Sequence, residues 1–322
     1  MSKKISLFGL YIDSIGMSDA LNFSKKVLYG KEKSQIAIFT PNIEMLEASR
    51  KSKRYKDLLN SGDLLLPDGS GLLLVAKILG QKLYETVAGI DLGEKLLEEA
   101  DKGSLRVFLL GGRPDVAEKA AENIQKRLKN LKICGTHHGY ISNDAEMRAL
   151  IEKINGSRAD IVFVCMGFPR QETFVSQNRQ KLPDVRIFLC LGGSLDVWSG
   201  NLRRAPKLFR AARAEWLWRI MREPSRLPRF LASLSVFPAA ISLSCKNIAQ
   251  SGQISVLIVK VLHIIKQKEF SGGLIYVYLF YASKYYKIFR DRVRLSRRPY
   301  YPYRFRAYLC GRFATDGYQC II

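Results

Sequence analysis

No uncharged apolar run in this 322-residue chain approaches the ~20 residues that a membrane-spanning helix needs. Phe230 to Cys245 carries no charge, but it is short, holds four serines and is interrupted by Pro238. Met1-Ser-Lys-Lys leads straight into a strand-like segment, so no signal peptide is expected. No Cys-x-x-Cys pair occurs among the six cysteines. Cys165 and Cys190 sit inside apolar runs, as reduced core thiols of a cytosolic protein do. No Gly-x-Gly-x-x-Gly occurs, which argues against a nicotinamide or flavin dinucleotide and so against an oxidoreductase. Histidine is scarce, with three in all, and the adjacent His137 and His138 read as loop or strand rather than as metal ligands. Acidic side chains are also few, 29 against 52 lysines and arginines, leaving a net charge of +23.

That charge is unevenly spread. Met1 to Asn201 carries a net +5, Leu202 to Phe230 a net +7, and Leu231 to Ile322 a net +11. The basic C-terminal third should therefore seek an anionic partner such as a phosphate, a nucleic acid or a lipid surface. The composition, 47% apolar, suffices for a full core in one large domain or two smaller ones.

Short apolar runs alternate with amphipathic stretches along the first 201 residues. "KISLFGLYID", "QIAIFT", "DLLLPDG", "LRVFLLGG", "LKICGTHHGY", "ADIVFVCMG" and "VRIFLCLGG" read as strands or extended segments. Helical spacing falls at 18–29, 42–52, 71–79, 89–100, 115–128, 143–154 and 169–178. Continuous Val/Ile/Leu strands joined by such helices predict an α/β, Rossmann-like fold: a mostly parallel sheet with helices on both faces. Residues 202–230 read as a helical, basic C-terminal appendage, and 231–322 as a basic aromatic extension, either a peripheral membrane anchor or a tail.

In parallel sheets ligands sit beyond the carboxyl ends of the strands. Those ends carry Thr40-Pro41-Asn42, Pro67-Asp68-Gly69, Gly111-Gly112, Gly167-Phe168-Pro169 and Gly192-Gly193. Asp68 could bond its own turn, or act as a base with open space before it. Gly111 and Gly112, ahead of a helix, allow backbone amides to approach an anion, or simply make a tight turn. In "GFPRQE", Gly167 permits close approach, Pro169 opens a helix, and Gln171 and Glu172 in its first turn suit sugar hydroxyls or a helix cap. Asp196 either orders its loop or contacts ligand. Residues 201–230 interleave nine cations, among them Arg219, Arg226 and Arg229, with Trp216 and Trp218. Guanidinium forks suit diphosphates, and tryptophan among cations suits a membrane interface.

Taken together, "TPNIEML" at 40–46, "LPDGSGL" at 66–72, "VAGIDL" at 87–92, "VFLLGG" at 107–112, "GFPRQE" at 167–172, "GGSLDVWSGNLRRAP" at 192–206 and "EWLWRIMREPSRLPR" at 215–229 resemble the WecG/TagA/CpsF family of bacterial glycosyltransferases (glycosyltransferase family 26). "VAGID" stands where the family more often has an Arg-Val-Thr-Gly-Asp type run, so that arginine is absent here. The resemblance implies inverting, metal-independent transfer of an N-acetylmannosamine-type or related hexose. The donor is a UDP-sugar, with no cofactor, and the acceptor a polyprenyl-diphosphate-linked sugar at the inner face of the cytoplasmic membrane. It further implies Asp68 as catalytic base, Thr40 and Asn42 lining the same pocket, and Gln171 near the donor sugar. A C-terminal segment that meets the membrane and helps close the site is also implied. A homo-oligomer is left open. Two other classes compete: a nucleic-acid-binding protein, prompted by the charge and the Tyr/Arg-rich end, and a non-catalytic sugar-nucleotide scaffold. The near-neutral core and the five loops at one sheet edge argue against nucleic acid.

Overall fold

The computed structural model describes residues 3–31, 34–211 and 215–251. Residues 252–322, where most of the expected aromatic extension falls, lie outside the described residues. The first segment is a hairpin rather than the single strand its apolar run suggests. β1 (Lys4–Leu7) pairs antiparallel with β2 (Leu10–Asp13) through a turn at Phe8 and Gly9, both with positive φ (54° and 82°). Such two-residue turns match strand twist, and "LFGL" hides one inside a continuous hydrophobic run.

After α1 (Met17–Tyr29) come β3 (Ile36–Phe39), α2 (Ile43–Lys51), α3 (Lys53–Asn60), β4 (Leu64–Leu65) and α4 (Ser70–Ile78). Then follow α5 (Gly89–Gly103), β5 (Arg106–Gly111), α6 (Val116–Arg127), β6 (Lys132–His137), α7 (Asp144–Ser157), β7 (Ile161–Cys165) and α8 (Arg170–Asn178). The core closes with β8 (Ile187–Cys190) and α9 (Ser194–Trp198). The sheet order is β4-β3-β8-β7-β5-β6, with every pairing parallel. The chain moves outward through β3 and β4 on one side and β5 and β6 on the other, then returns to fill the middle. That reversal opens a crevice at the carboxyl edge of the strands.

Each central strand is buried on both faces, which is why its sequence does not alternate. Ile38, Leu109, Phe163 and Leu189 pack with Ala20, Leu96, Ala117 and Trp198 of α1, α5, α6 and α9. Phe39, Phe108, Val162 and Phe188, turned the other way, are equally buried. In α5 the stripe Leu92, Leu96, Leu97 and Ala100 is wholly enclosed; each large side chain there contributes ~1.5–3 kcal/mol.

Among the described residues, the core is followed by the α-helices α10 (Lys207–Ala211), α11 (Glu215–Arg222), α12 (Leu227–Ser233) and α13 (Val236–Ser251). The expected boundary near residue 230 falls inside α12. Beyond it α13 packs on α2 and α4, burying Val236, Phe237 and Ala240. The run Pro224–Cys245 is long and apolar enough to cross a membrane by length and composition, with a mean hydropathy of 1.3. Of an apolar 18-residue stretch within it, 28% is buried inside the protein.

Glu47 latches this helical pair to the core. Its carboxylate, 4% exposed, accepts from Arg50 Nε (2.6 Å), Lys51 Nζ (2.9 Å) and the Ser235 hydroxyl between α12 and α13. Burial pushes its pKa up, but these donors outweigh it and hold the group at about 2 rather than 4.5. A depressed carboxylate pKa stabilises the fold above the ordinary value, and the contribution is lost as pH falls from 4.5 to about 2. Glu47→Gln is therefore expected to lower the melting temperature at neutral pH and to flatten the loss of stability across that acid window. Thermal melts of both proteins over the window measure this.

Candidate active site

The crevice is rimmed by the loops that leave the strand ends, and hydrogen bonds lace them together. Thr40, just past β3, donates its hydroxyl to Cys190 O at the end of β8 (3.0 Å). Asn42 caps α2, accepting from the Met45 amide (3.1 Å). The Asp68 amide donates to Pro41 O (2.9 Å), and the Val87 amide to Pro67 O (2.8 Å). Gly139, after β6, donates to Gly112 O (2.9 Å). A Cβ built on Gly69, Gly167 or Gly192 would meet nothing within 4 Å, so three of these loops border open space. All three have positive φ (85°, 72° and 54°), a conformation that favours glycine.

Asp68 follows the short β4, directly before Gly69. Burial pushes its carboxyl up to about 6 from 3.8. The Arg219 cation opposes this, Glu215 and Asp91 add to it, and Arg204 opposes it. Asp91 sits in the first turn of α5, whose Gly89 packs against Thr40. Glu215 and Arg219 come from α11. Core and appendage thus meet at this carboxyl group.

A second cluster surrounds Asp196 in α9. Burial and the Glu223 carboxylate raise its pKa, while Arg113 and Arg226 oppose them. Arg226 also pairs with Glu223. Arg229 is exposed on α12, three residues beyond Arg226. Arg219 and Arg226 therefore stand at different carboxylates, a division their spacing along the chain does not reveal.

Gln171 and Glu172 lie in the first turn of α8 and are both buried. They are 4% and 0% exposed. Gln171 Oε1 accepts from the amides of Gly167 (3.2 Å) and Gly192 (2.9 Å), joining the loops after β7 and β8. Its Nε2 donates to Glu172 Oε1 (2.7 Å). Burial lifts Glu172 to about 7 against that bond, and its Oε2 has no partner among the described residues. A protonated acid suits such a pocket. Pro169 precedes α8. The Gly112 amide donates to Cys165 O (3.2 Å), so it is committed to the fold rather than offered to an anion. Arg113, the next residue, carries the cation instead.

The tryptophans act as internal staples. Trp216 stacks on Phe230 (4.6 Å, 7°), and Trp218 packs on Phe209 (5.4 Å) while donating to Arg203 O (3.2 Å). Leu208, Leu217, Met221, Leu227 and Leu231 are exposed instead. His137 Nδ1 lies 2.7 Å from His138 O, a loop contact. Glu215 and Arg113, which also act on these two carboxylates, are candidate site residues that motif reading passed over. Each lies within or beside a block already singled out, but its role appears only when the blocks converge.

Comparison with known proteins identifies the family. The description "Glycosyl transferase WecG/TagA/CpsF family" matches residues 5–250. The chain is similar to the N-acetylglucosaminyldiphosphoundecaprenol N-acetyl-beta-D-mannosaminyltransferase of Bacillus spizizenii (strain W23), 36% identical over 195 residues, 61% of this chain and 74% of the other. The Bacillus subtilis (strain 168) protein with that description is 35% identical over 205 residues, 63% and 78% of the two chains. The one from Staphylococcus aureus (strain MRSA252) is 29% identical over 248 residues, 77% and 96%.

Proposed function

This chain belongs to the WecG/TagA/CpsF family of glycosyl transferases, and on that premise we propose that it moves an N-acetylmannosamine-type residue from a UDP-sugar to a polyprenyl-diphosphate-linked sugar. The observation that carries the reading is Asp68: a carboxyl group at a crevice rim, beside the open space at Gly69, with a pKa of about 6. Such a group is ionised at neutral pH yet retains affinity for a proton, as a general base must.

In the proposed step Asp68 takes the proton of the acceptor hydroxyl while that oxygen attacks the anomeric carbon. The bond from that carbon to the UDP oxygen breaks, UDP leaves with the electron pair, and configuration inverts. No metal takes part in this scheme. The charge growing on UDP is met by guanidinium groups, with Arg113 and Arg226 beside Asp196 and Arg219 beside Asp68. Gln171, by joining the loops after β7 and β8, holds the rim in shape. Thr40 and Asn42 do the same for the loop after β3.

Access to a lipid-linked acceptor is proposed to come from the appendage lying on the inner face of the membrane. The exposed Leu208, Leu217, Met221, Leu227 and Leu231 would enter the interface while Arg203, Lys207, Arg222 and Arg229 meet anionic headgroups. Incubation with a lipid-diphosphate N-acetylglucosamine acceptor and a panel of UDP-sugars tests the whole reading. UDP release with an N-acetylhexosamine donor, undiminished by EDTA, is the expected result. Release with none of them, together with steeply salt-dependent RNA binding, would replace an enzyme with a nucleic-acid-binding protein.

A further inference from the structure

Four charged side chains act on Asp68, and one of them joins two of the others. Arg204 lies between the core and α10. Its Nη1 is 2.7 Å from Asp91 Oδ1, in the first turn of α5, and its Nη2 is 3.8 Å from Glu215 Oε1, in the first turn of α11. The arginine side chain is three-quarters covered (25% exposed), and Nε and Nη2 are buried without a hydrogen-bond partner. Three carboxylates, Asp68, Asp91 and Glu215, crowd a small volume that also receives Arg204 and Arg219. Without a cation between them, Asp91 and Glu215 would repel each other and drive α11 off the start of α5. A planar guanidinium can span two carboxylates; an ammonium is a single point charge.

We propose that Arg204 is a positioning residue that clasps α11 onto the first turn of α5, so that the carboxyl group of Asp68 is enclosed while transfer takes place. It rests on Asp68 being the base, acts through Asp91 and Glu215, and need not touch the sugar. Closure dehydrates Asp68, and two of the four charges that act on it, Glu215 and Arg219, belong to α11. An appendage swung away would leave the base solvated, more acidic and without Arg219.

The full chain decides this with Arg204→Ala, Arg204→Lys, Glu215→Gln and the Arg204→Ala/Glu215→Gln double variant. Two readouts are followed: tryptic cleavage at Arg219 and Arg222, located by mass spectrometry, and steady-state transfer. Each single alanine or glutamine variant is expected to speed cleavage at those arginines and to lower kcat about three- to tenfold, with KM for the UDP-sugar little changed. The double variant should be no worse than the more damaged single one, because both remove one clasp. Arg204→Lys should recover only part of the loss. In Glu215→Gln the acid limb of the pH profile should move to lower pH, since a carboxylate that raises Asp68 is gone and its cover is looser. Cleavage and turnover at the parent level in Glu215→Gln, whose partly exposed side chain can change without disturbing the core, would overturn the clasp. Losses that multiply in the double variant would do the same. Asp68→Asn keeps the two ideas apart: an active Asp68→Asn protein removes the base, whereas the cleavage pattern still reports on the clasp.

Discussion

Asp68→Ala is expected to lower kcat/KM for sugar transfer by roughly 10²- to 10⁴-fold, the range that a positioned general base contributes. Binding of UDP, measured by calorimetry, should be preserved, because the cations near Asp196 that meet the nucleotide diphosphate in the proposed scheme are untouched. The parent enzyme adds a pH signature. In the proposed scheme transfer requires the ionised carboxylate, so kcat/KM should rise as pH increases through about 6 and then level off. Stability should run the other way. An acid whose pKa is raised by folding is bound more tightly to its proton in the native state, so ionisation between 3.8 and about 6 weakens the fold. Asp68→Asn should therefore melt at a higher temperature than the parent at neutral pH while being inactive. A group kept at the expense of stability is what an active site predicts. Unchanged turnover in Asp68→Ala would remove it from the mechanism.

Gly111→Ala is expected to produce the largest loss of stability of any single methyl addition at the rim. At Gly111 φ is +135°, and an added Cβ would stand 2.2 Å from Cys165 O, 2.4 Å from its carbonyl carbon and 2.8 Å from its Cα. All three are backbone atoms of the paired strand β7, so no side chain can rotate away. Relief requires parting β5 from β7 where the central strands leave the sheet. The expected destabilisation is ~3 kcal/mol or more, which for a chain of this size is about 4–6 °C or more in melting temperature. Gly69→Ala makes the contrast. Its φ is +85°, but the new methyl meets nothing within 4 Å, so only backbone strain of about 1–3 kcal/mol applies. Equal melting temperatures for the two variants would mean that the close approach at Cys165 does not constrain the fold.

The sheet was legible because its strands are continuous apolar runs and its helices have regular spacing, patterns that burial on two faces and on one face impose. β3, β5, β7 and β8, and helices α1, α2 and α4 to α8, stand within a few residues of where periodicity puts them. The turn at Phe8 and Gly9 was not legible, since a two-residue reversal changes no hydrophobic pattern. Helix α3 is charged and presents one buried leucine, Leu59, which leaves little signal. Helix α9 is five residues long, too short to show a period.

Chain chemistry alone specified which residue types gather at the strand ends: Asp68, the glycines of the rim and the arginines that follow. Those choices are local, because a turn needs glycine, a base needs a carboxyl group and a diphosphate needs cations. Tertiary structure alone decided their division of labour. It buried Gln171 and Glu172, committed the Gly112 amide to Cys165, made staples of the tryptophans, and set Asp91, Arg204 and Glu215 around Asp68. Such roles depend on distances between segments that are separate in the sequence, more than a hundred residues apart where Arg204 meets Asp91, and the field at one carboxyl group exists only after those segments have packed.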